Sequence, residues 1–182
     1  MAVLVFRGTS GFDNWLANLK VFQSPWESGG LVHSGFKAIF LEIRDELEAV
    51  LRSIAAPMIF TGHSLGGALA VLAASLWRPM ATYTFGAPRV GDAVFRNSLS
   101  RLSIFRITNE RDIVPSVPPS RIPFEFCHIG ESVQFQIPDE NVDQDNPAVD
   151  NSRLLAYPPR VLSEHAPINY SVSLVRHLEE DA

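Results

Sequence analysis

Thr61-Gly62-His63-Ser64-Leu65-Gly66-Gly67 follows a short apolar run, Pro57-Met58-Ile59-Phe60, and leads into a long one from Ala68 to Trp77. An apolar strand, a tight glycine-flanked turn carrying a serine, and then a helix is the arrangement that lifts a nucleophilic hydroxyl above a sheet. Ser64 must stand on a sharp turn for its Oγ to project, and Gly62 and Gly66 leave room for backbone that passes very close. The backbone N–H of Leu65, at the start of the helix, then faces negative charge developing on an attacked carbonyl. Taken alone, the same stretch also fits a glycine-rich turn with a structural serine. What separates the two readings is whether an acid and a base follow in suitable places.

The chain has 182 residues, which suits one domain with a sizeable core. Hydrophobic residues make up 46% and charged residues 19%, a globular balance that excludes a disordered chain. A net charge of −5 without any Lys/Arg cluster argues against a nucleic-acid partner. Cys127 is the only cysteine, so no internal disulfide forms and no cysteine-based metal site is expected. Nothing in the sequence implies a metal or a cofactor. Met1-Ala2-Val3-Leu4-Val5-Phe6 has no basic start and no cleavage site, so it reads as a strand and not a signal peptide. No apolar run is long enough to span a bilayer. These features together predict a cytoplasmic chain.

Strand and helix patterns alternate along most of the sequence. After the strand at residues 2–6 and the loop Arg7-Gly8-Thr9-Ser10-Gly11, residues 11–19 form a short amphipathic stretch with Phe12, Trp15, Leu16 and Leu19 at helical spacing. This reads either as a surface helix or as a lid over an apolar cleft. Residues 20–33, with Pro25 and Gly29-Gly30, read as loop. From Ser34 to about Ile54, the apolar positions Phe36, Ile39, Phe40, Ile43, Leu47, Val50, Leu51 and Ile54 keep the period of a long amphipathic helix. Further strands are predicted at 81–85 and 102–107, with a helix near 92–99 between them. Phe124 to Gln136, interrupted at Gly130, reads as a hairpin of two edge strands. Residues 138–160, acidic and Asn/Pro-rich at first, read as a polar excursion within the domain. A helix from Pro167 to His177 completes the chain. The alternation predicts an α/β fold with a mainly parallel central sheet flanked by helices, and sites at the carboxyl ends of its strands.

A serine needs an adjacent base, and the base needs an orienting acid. Asp112 sits just past a strand end, where such an acid belongs; a turn residue is the alternative. Three histidines follow it. His128 lies inside an apolar strand pattern, and His177 lies near a helix C-terminus, where a cation is favoured for structural reasons. His165 falls in a loop, where a side chain can swing over a serine, and it is the favoured base. His33 and His63 precede Asp112, and the ring of His63, next to the nucleophile, should point away from Oγ.

Several ordered motifs together resemble the class 3 (fungal-type) lipases. They are Val5-Phe6-Arg7-Gly8-Thr9-Ser10 with Asn14-Trp15, Val32-His33-Ser34-Gly35-Phe36, Thr61 to Ala70, and Thr84-Phe85-Gly86-Ala87-Pro88-Arg89-Val90-Gly91. To these are added Asn109-Glu110-Arg111-Asp112-Ile113-Val114-Pro115 with Pro118-Pro119, and His128-Ile129-Gly130-Glu131. The resemblance covers residues 2–137 almost continuously. It implies an α/β-hydrolase-like fold, with Ser64 as nucleophile, Asp112 as acid and His165 as the late histidine that precedes a tyrosine, here Tyr170. It also implies an oxyanion hole from Thr9 and Leu65, and a lid at 11–19 with Phe12, Trp15 and Leu16 near substrate. Relatives carry an N-terminal segment before the strand that opens this chain. The sheet is therefore expected to show an open edge or apolar surface, covered by a partner subunit in a homo-oligomer or by the C-terminal segment.

The function implied is a serine carboxylester hydrolase acting on acylglycerols or related lipid esters, at a lipid–water interface where one is present. Two alternatives follow from the same residues. One is an esterase for short-chain or phenolic, feruloyl-type esters on the same scaffold; the other is a catalytically silent lipid-binding or interaction module.

Overall fold

The computed structural model describes residues 1–8, 22–121, 124–135 and 165–180. Thr9, the lid stretch 11–19 with Phe12, Trp15 and Leu16, and the excursion 138–160 lie outside the described residues.

A five-stranded sheet organises the fold. Its strands are β1 (Ala2–Phe6), β4 (Met58–His63), β5 (Ala81–Phe85), β6 (Ile104–Asn109) and β9 (Glu131–Phe135), in that spatial order. Every neighbouring pair is parallel. All five carboxyl ends therefore point the same way, and the loops that follow them gather at one edge of the sheet.

Two helices cover one face. Helix α1 (Ser34–Arg52) packs against α2 (Leu65–Trp77), which lies on β1, β4 and β5. The residues of α2 from Leu65 to Ser75 are all buried, which explains why its sequence is apolar on every side. Helix α1 buries only one side, through Phe36, Phe40 and Leu51. Phe36, Phe40 and Phe60 are fully enclosed, each contributing about 1.5–3 kcal/mol through removal from water. Val50 and Ile43, both expected on the apolar side, are 48% and 36% exposed; they lie seven residues apart on one flank of the helix, while Leu51 in the same last turn is buried. The Trp26 indole donates to Ser75 Oγ at 2.8 Å and Ser75 donates to Leu72 O, so the one polar side chain on the buried stretch of α2 is satisfied.

Two sequence expectations are corrected. Residues 20–33 are not plain loop: β2 (Gln23–Pro25) and β3 (Leu31–His33) form a small antiparallel hairpin. Gly29 and Gly30 both take positive φ in its turn. The stretch Phe124 to Gln136 is not a hairpin either. Strand β8 (Phe124–Glu125) pairs with β7 (Ser120–Arg121), while β9 joins the main sheet beside β6. Cys127 instead bridges to Gly91, with its N–H donating to Gly91 O at 2.7 Å. Gly130, at φ 90°, then redirects the chain so that Glu131 aligns with Phe105.

On the opposite face, cross-strand register places Val5, Thr61, Tyr83 and Phe105 in one row. Val3, Val5 and Tyr83 are exposed at 56%, 67% and 38%. Near the carboxyl ends this face is covered by α4 (Pro167–Glu180), whose Tyr170 and Leu174 pack on Phe85, Phe105 and Ile107. The C-terminal helix thus covers the β5 and β6 part of this face, while Val3 and Val5 of the edge strand β1 stay exposed. The small helix α3 (Ala93–Ser98) starts at Asp92, whose carboxylate accepts the Phe95 N–H at 2.8 Å.

Candidate functional site

Ser64 is the residue between the last position of β4 and the first of α2. Its backbone has φ 58° and ψ −127°, a left-handed conformation that costs a non-glycine residue about 1–3 kcal/mol. The turn is held from both sides. The Ser64 N–H donates to Phe85 O at 2.9 Å, and the Ser64 carbonyl accepts from Gly67 N at 3.0 Å. A Cβ at Gly62 would run into the Gly66 backbone, and one at Gly66 would run into the Phe6 carbonyl. The glycines flanking the serine are thus required by close backbone packing, as their spacing predicts. Leu65 opens α2, so its N–H belongs to the helix end whose donors lack intrahelical partners. Ser64 is 2% exposed, and its Oγ has no hydrogen-bond partner among the described residues.

Asp112 follows β6 by three residues. Its own N–H donates to Asn109 O at 3.1 Å, and Oδ1 accepts the Val114 N–H at 2.8 Å, which fixes the carboxylate plane. Oδ2 then receives two donors. His165 Nδ1 lies 2.7 Å away, and the Tyr170 hydroxyl makes a short hydrogen bond to the same oxygen. Both Asp112 and His165 are 5% exposed. Because Nδ1 donates to a carboxylate, Nε2 is the ring nitrogen left to accept a proton. Gly86, at φ 56°, makes space for the group: a Cβ there would stand 2.8 Å from both Asp112 Oδ2 and Tyr170 Oη.

Sequence reasoning gave Tyr170 only a place after the histidine. In the structure it is 3% exposed and joined to Asn109, whose N–H donates to its hydroxyl oxygen at 3.3 Å. Burial, reinforced by the Asp112 charge, raises the phenol well above its ordinary pKa, so it remains a donor at any working pH. His63 was also read too narrowly. Its Nε2 donates to the backbone carbonyl of His165 at 2.8 Å. The two rings lie 4.5 Å apart at 32°. Burial, then the nearby His165, lowers the His63 pKa to about 4. No sequence signal marks either contact, since both join residues about sixty or a hundred positions apart.

The remaining histidines serve elsewhere. His33 caps α1, its Nδ1 accepting the Phe36 N–H at 3.3 Å. His128 stands near Arg106 and Arg89; burial first, and then those two cations, push its pKa down to about 3. His177 lies in α4, ten residues beyond its start. Among the described residues, no group of three His, Cys, Asp or Glu side chains gathers in a way that could hold a metal ion. Among them, too, no helix is long and apolar enough to cross a membrane.

The structure therefore brings Asp112 and His165 into a direct hydrogen bond and stacks His165 on the neighbour of Ser64. Ser64 and His165 are not hydrogen-bonded here, a common state of such a pair without substrate. A serine on a strained strand-to-helix turn, with an acid from a later strand end and a histidine later still, all on a parallel sheet, defines an α/β-hydrolase.

Within that class the chain belongs to the class 3 lipase family, whose model matches residues 3–122. It is 40% identical over 146 residues to a lipase of Rhizomucor miehei, covering 70% of this chain and 40% of that protein. It is 34% identical over 139 residues to a secreted mono- and diacylglycerol lipase of Fusarium solani, covering 69% of this chain and 41% of that protein. A solved triacylglycerol lipase, described as having a serine protease triad at its catalytic centre, superposes with a TM-score of 0.63 at 36% identity. That match covers 75% of this chain and 57% of the other. The chain thus spans about two-fifths of the length of the curated relatives named here.

Proposed function

We propose that this chain hydrolyses carboxylic esters of acylglycerols or related lipids through an acyl-enzyme on Ser64. The observation that carries this reading is the Asp112–His165 hydrogen bond, delivered by β6 and the start of α4 to the neighbourhood of the Ser64 turn. His165 Nε2 takes the Ser64 proton as Oγ attacks the ester carbonyl. The Leu65 N–H stabilises the resulting oxyanion, with Thr9 as the second donor that the family resemblance suggests. His165 then gives its proton to the departing alkoxide, and the acyl group remains on Oγ. Water, deprotonated by the same nitrogen, attacks the acyl carbonyl; His165 returns that proton to Oγ as the acyl–Oγ bond breaks, so the fatty acid leaves and Ser64 is restored. Asp112 keeps Nδ1 protonated and stabilises the imidazolium in both halves.

The names of the relatives support lipid esters over other substrates. Hydrolysis of p-nitrophenyl esters of rising chain length, with and without an emulsion, tests the proposal. A rate that rises with acyl length and with an interface supports a lipase. A rate confined to short or phenolic esters in solution makes the chain an esterase instead. Failure of Ser64 to react with an organophosphonate removes the enzyme reading altogether.

A further inference from the structure

His63 is one residue from the proposed nucleophile, yet its side chain belongs to the other face of the sheet. Residues paired across parallel strands share a face, and His63 pairs with Phe85, which pairs with Ile107. That is the face on which Tyr170 and α4 lie. From there the His63 ring reaches the segment that carries His165. A backbone carbonyl only accepts, so the 2.8 Å contact to His165 O fixes the proton of His63 on Nε2. The His63 ring also meets the edge of Tyr170, with centroids 5.6 Å apart at 66°. His63 thus touches both side chains that donate to Asp112 Oδ2, one of them through its backbone and its ring.

We propose that His63 is a positioning residue: by donating from Nε2 to the His165 carbonyl and stacking on its ring, it fixes where that imidazole stands relative to Ser64. The inference rests on the reading of Ser64, His165 and Asp112 given above. Two distant side chains hold His165: Asp112 accepts from its Nδ1, and His63 donates to its carbonyl. Asp112 thus aims the ring, and the hold on the carbonyl fixes the backbone from which the ring projects. The source of that hold is the turn that bears the nucleophile, so base and nucleophile are referenced to one rigid piece of backbone. His63 is not itself a base for Ser64, since no carboxylate accepts from its ring among the described residues. Its lowered pKa keeps it uncharged beside the imidazolium that His165 becomes during turnover.

The test compares His63→Phe, which keeps a ring but has no donor, with His63→Gln, which keeps an N–H donor of similar reach. Each is measured by steady-state kinetics on a soluble ester, by the rate of organophosphonate labelling of Ser64 against pH, and by the downfield proton resonance of the His165–Asp112 bond. His63→Phe is expected to lose roughly 10- to 100-fold in kcat and in labelling rate, with KM nearly unchanged and the resonance shifted or broadened. His63→Gln is expected to recover most of the loss. Native-like rates and resonance in His63→Phe overturn the proposal, as does equal impairment of both variants. Should His63→Phe fail to fold, His63→Met serves as the donor-free variant. If the native protein itself is not labelled, the reading of Ser64 fails and not the role of His63.

Discussion

The Tyr170 hydroxyl and the His165 Nδ1 converge on one oxygen of Asp112, Oδ2, while Oδ1 is taken by the Val114 N–H. A buried carboxylate with three donors is both satisfied and immobilised, and the histidine is aimed by the same contacts that satisfy the acid.

Removing one of those donors separates satisfaction from aim. Tyr170→Phe keeps the ring packing against Phe85 and His63 but leaves Asp112 Oδ2 with a single partner. Chemical denaturation is expected to show a loss of about 1.5–3 kcal/mol, the range for a hydrogen bond to a charged group. Ester hydrolysis should fall by roughly 10-fold, far less than on loss of the acid itself.

Asp112→Asn is the sharper change. An amide can present its NH2 toward His165, which then holds the wrong tautomer, with the proton on Nε2. A fall in kcat of about 10⁴-fold is expected, with the fold retained by circular dichroism. Activity within 10-fold of native would mean that Asp112 does not orient the base.

Two histidines are held neutral in the folded chain, His63 with a pKa of about 4 and His128 with one of about 3. His63 faces His165 and Asp112, and His128 faces Arg106 and Arg89. In the unfolded chain both titrate near 6.5. Above that pH neither state takes up these protons and stability is unaffected by them. As the pH falls from 6.5 towards 4, the unfolded chain binds two protons that the folded chain refuses, so stability falls. Each proton costs about 1.4 kcal/mol per pH unit across this window. Urea denaturation at intervals between pH 6.5 and 4.5 should show the decline, and His128→Gln should remove one of the two protons from its slope.

Gly86→Ala tests how tightly the site is packed. The residue has φ 56°, and its new methyl would stand 2.8 Å from Asp112 Oδ2 and from Tyr170 Oη. Both strain and collision oppose the substitution. Hydrolysis is expected to drop about 100-fold through displacement of the carboxylate, together with a lower melting temperature.

Much of this arrangement could be read in the sequence because its parts are local. The glycines around Ser64 are spaced by the needs of one turn, and Asp112 follows its strand by a few residues. His165 was separable from His128 because it falls in a loop, where a side chain can reach over a serine; the strand expected at His128 is not there, and that residue lies between β8 and β9 beside two arginines. What could not be read is pairing at a distance. Strand β9 alternates apolar and polar residues as an edge strand does, and nothing in Glu131–Phe135 names β6 as its neighbour. The burial of His63 against His165, and of Tyr170 against Asp112, follows from register and from where α4 docks. Neither leaves a mark on the residues themselves.

The positive φ of Ser64 has a consequence for how such a chain changes over time. A glycine at that position would take the same backbone angles without strain, so Ser64→Gly should be inactive and yet about as stable as the native protein or more so. The position on which the proposed chemistry depends most is thus one where folding alone prefers another residue. Selection for folding, relaxed from selection for turnover, would drift away from serine first. A chain that keeps this fold but has lost its nucleophile would be the expected fossil of such a history.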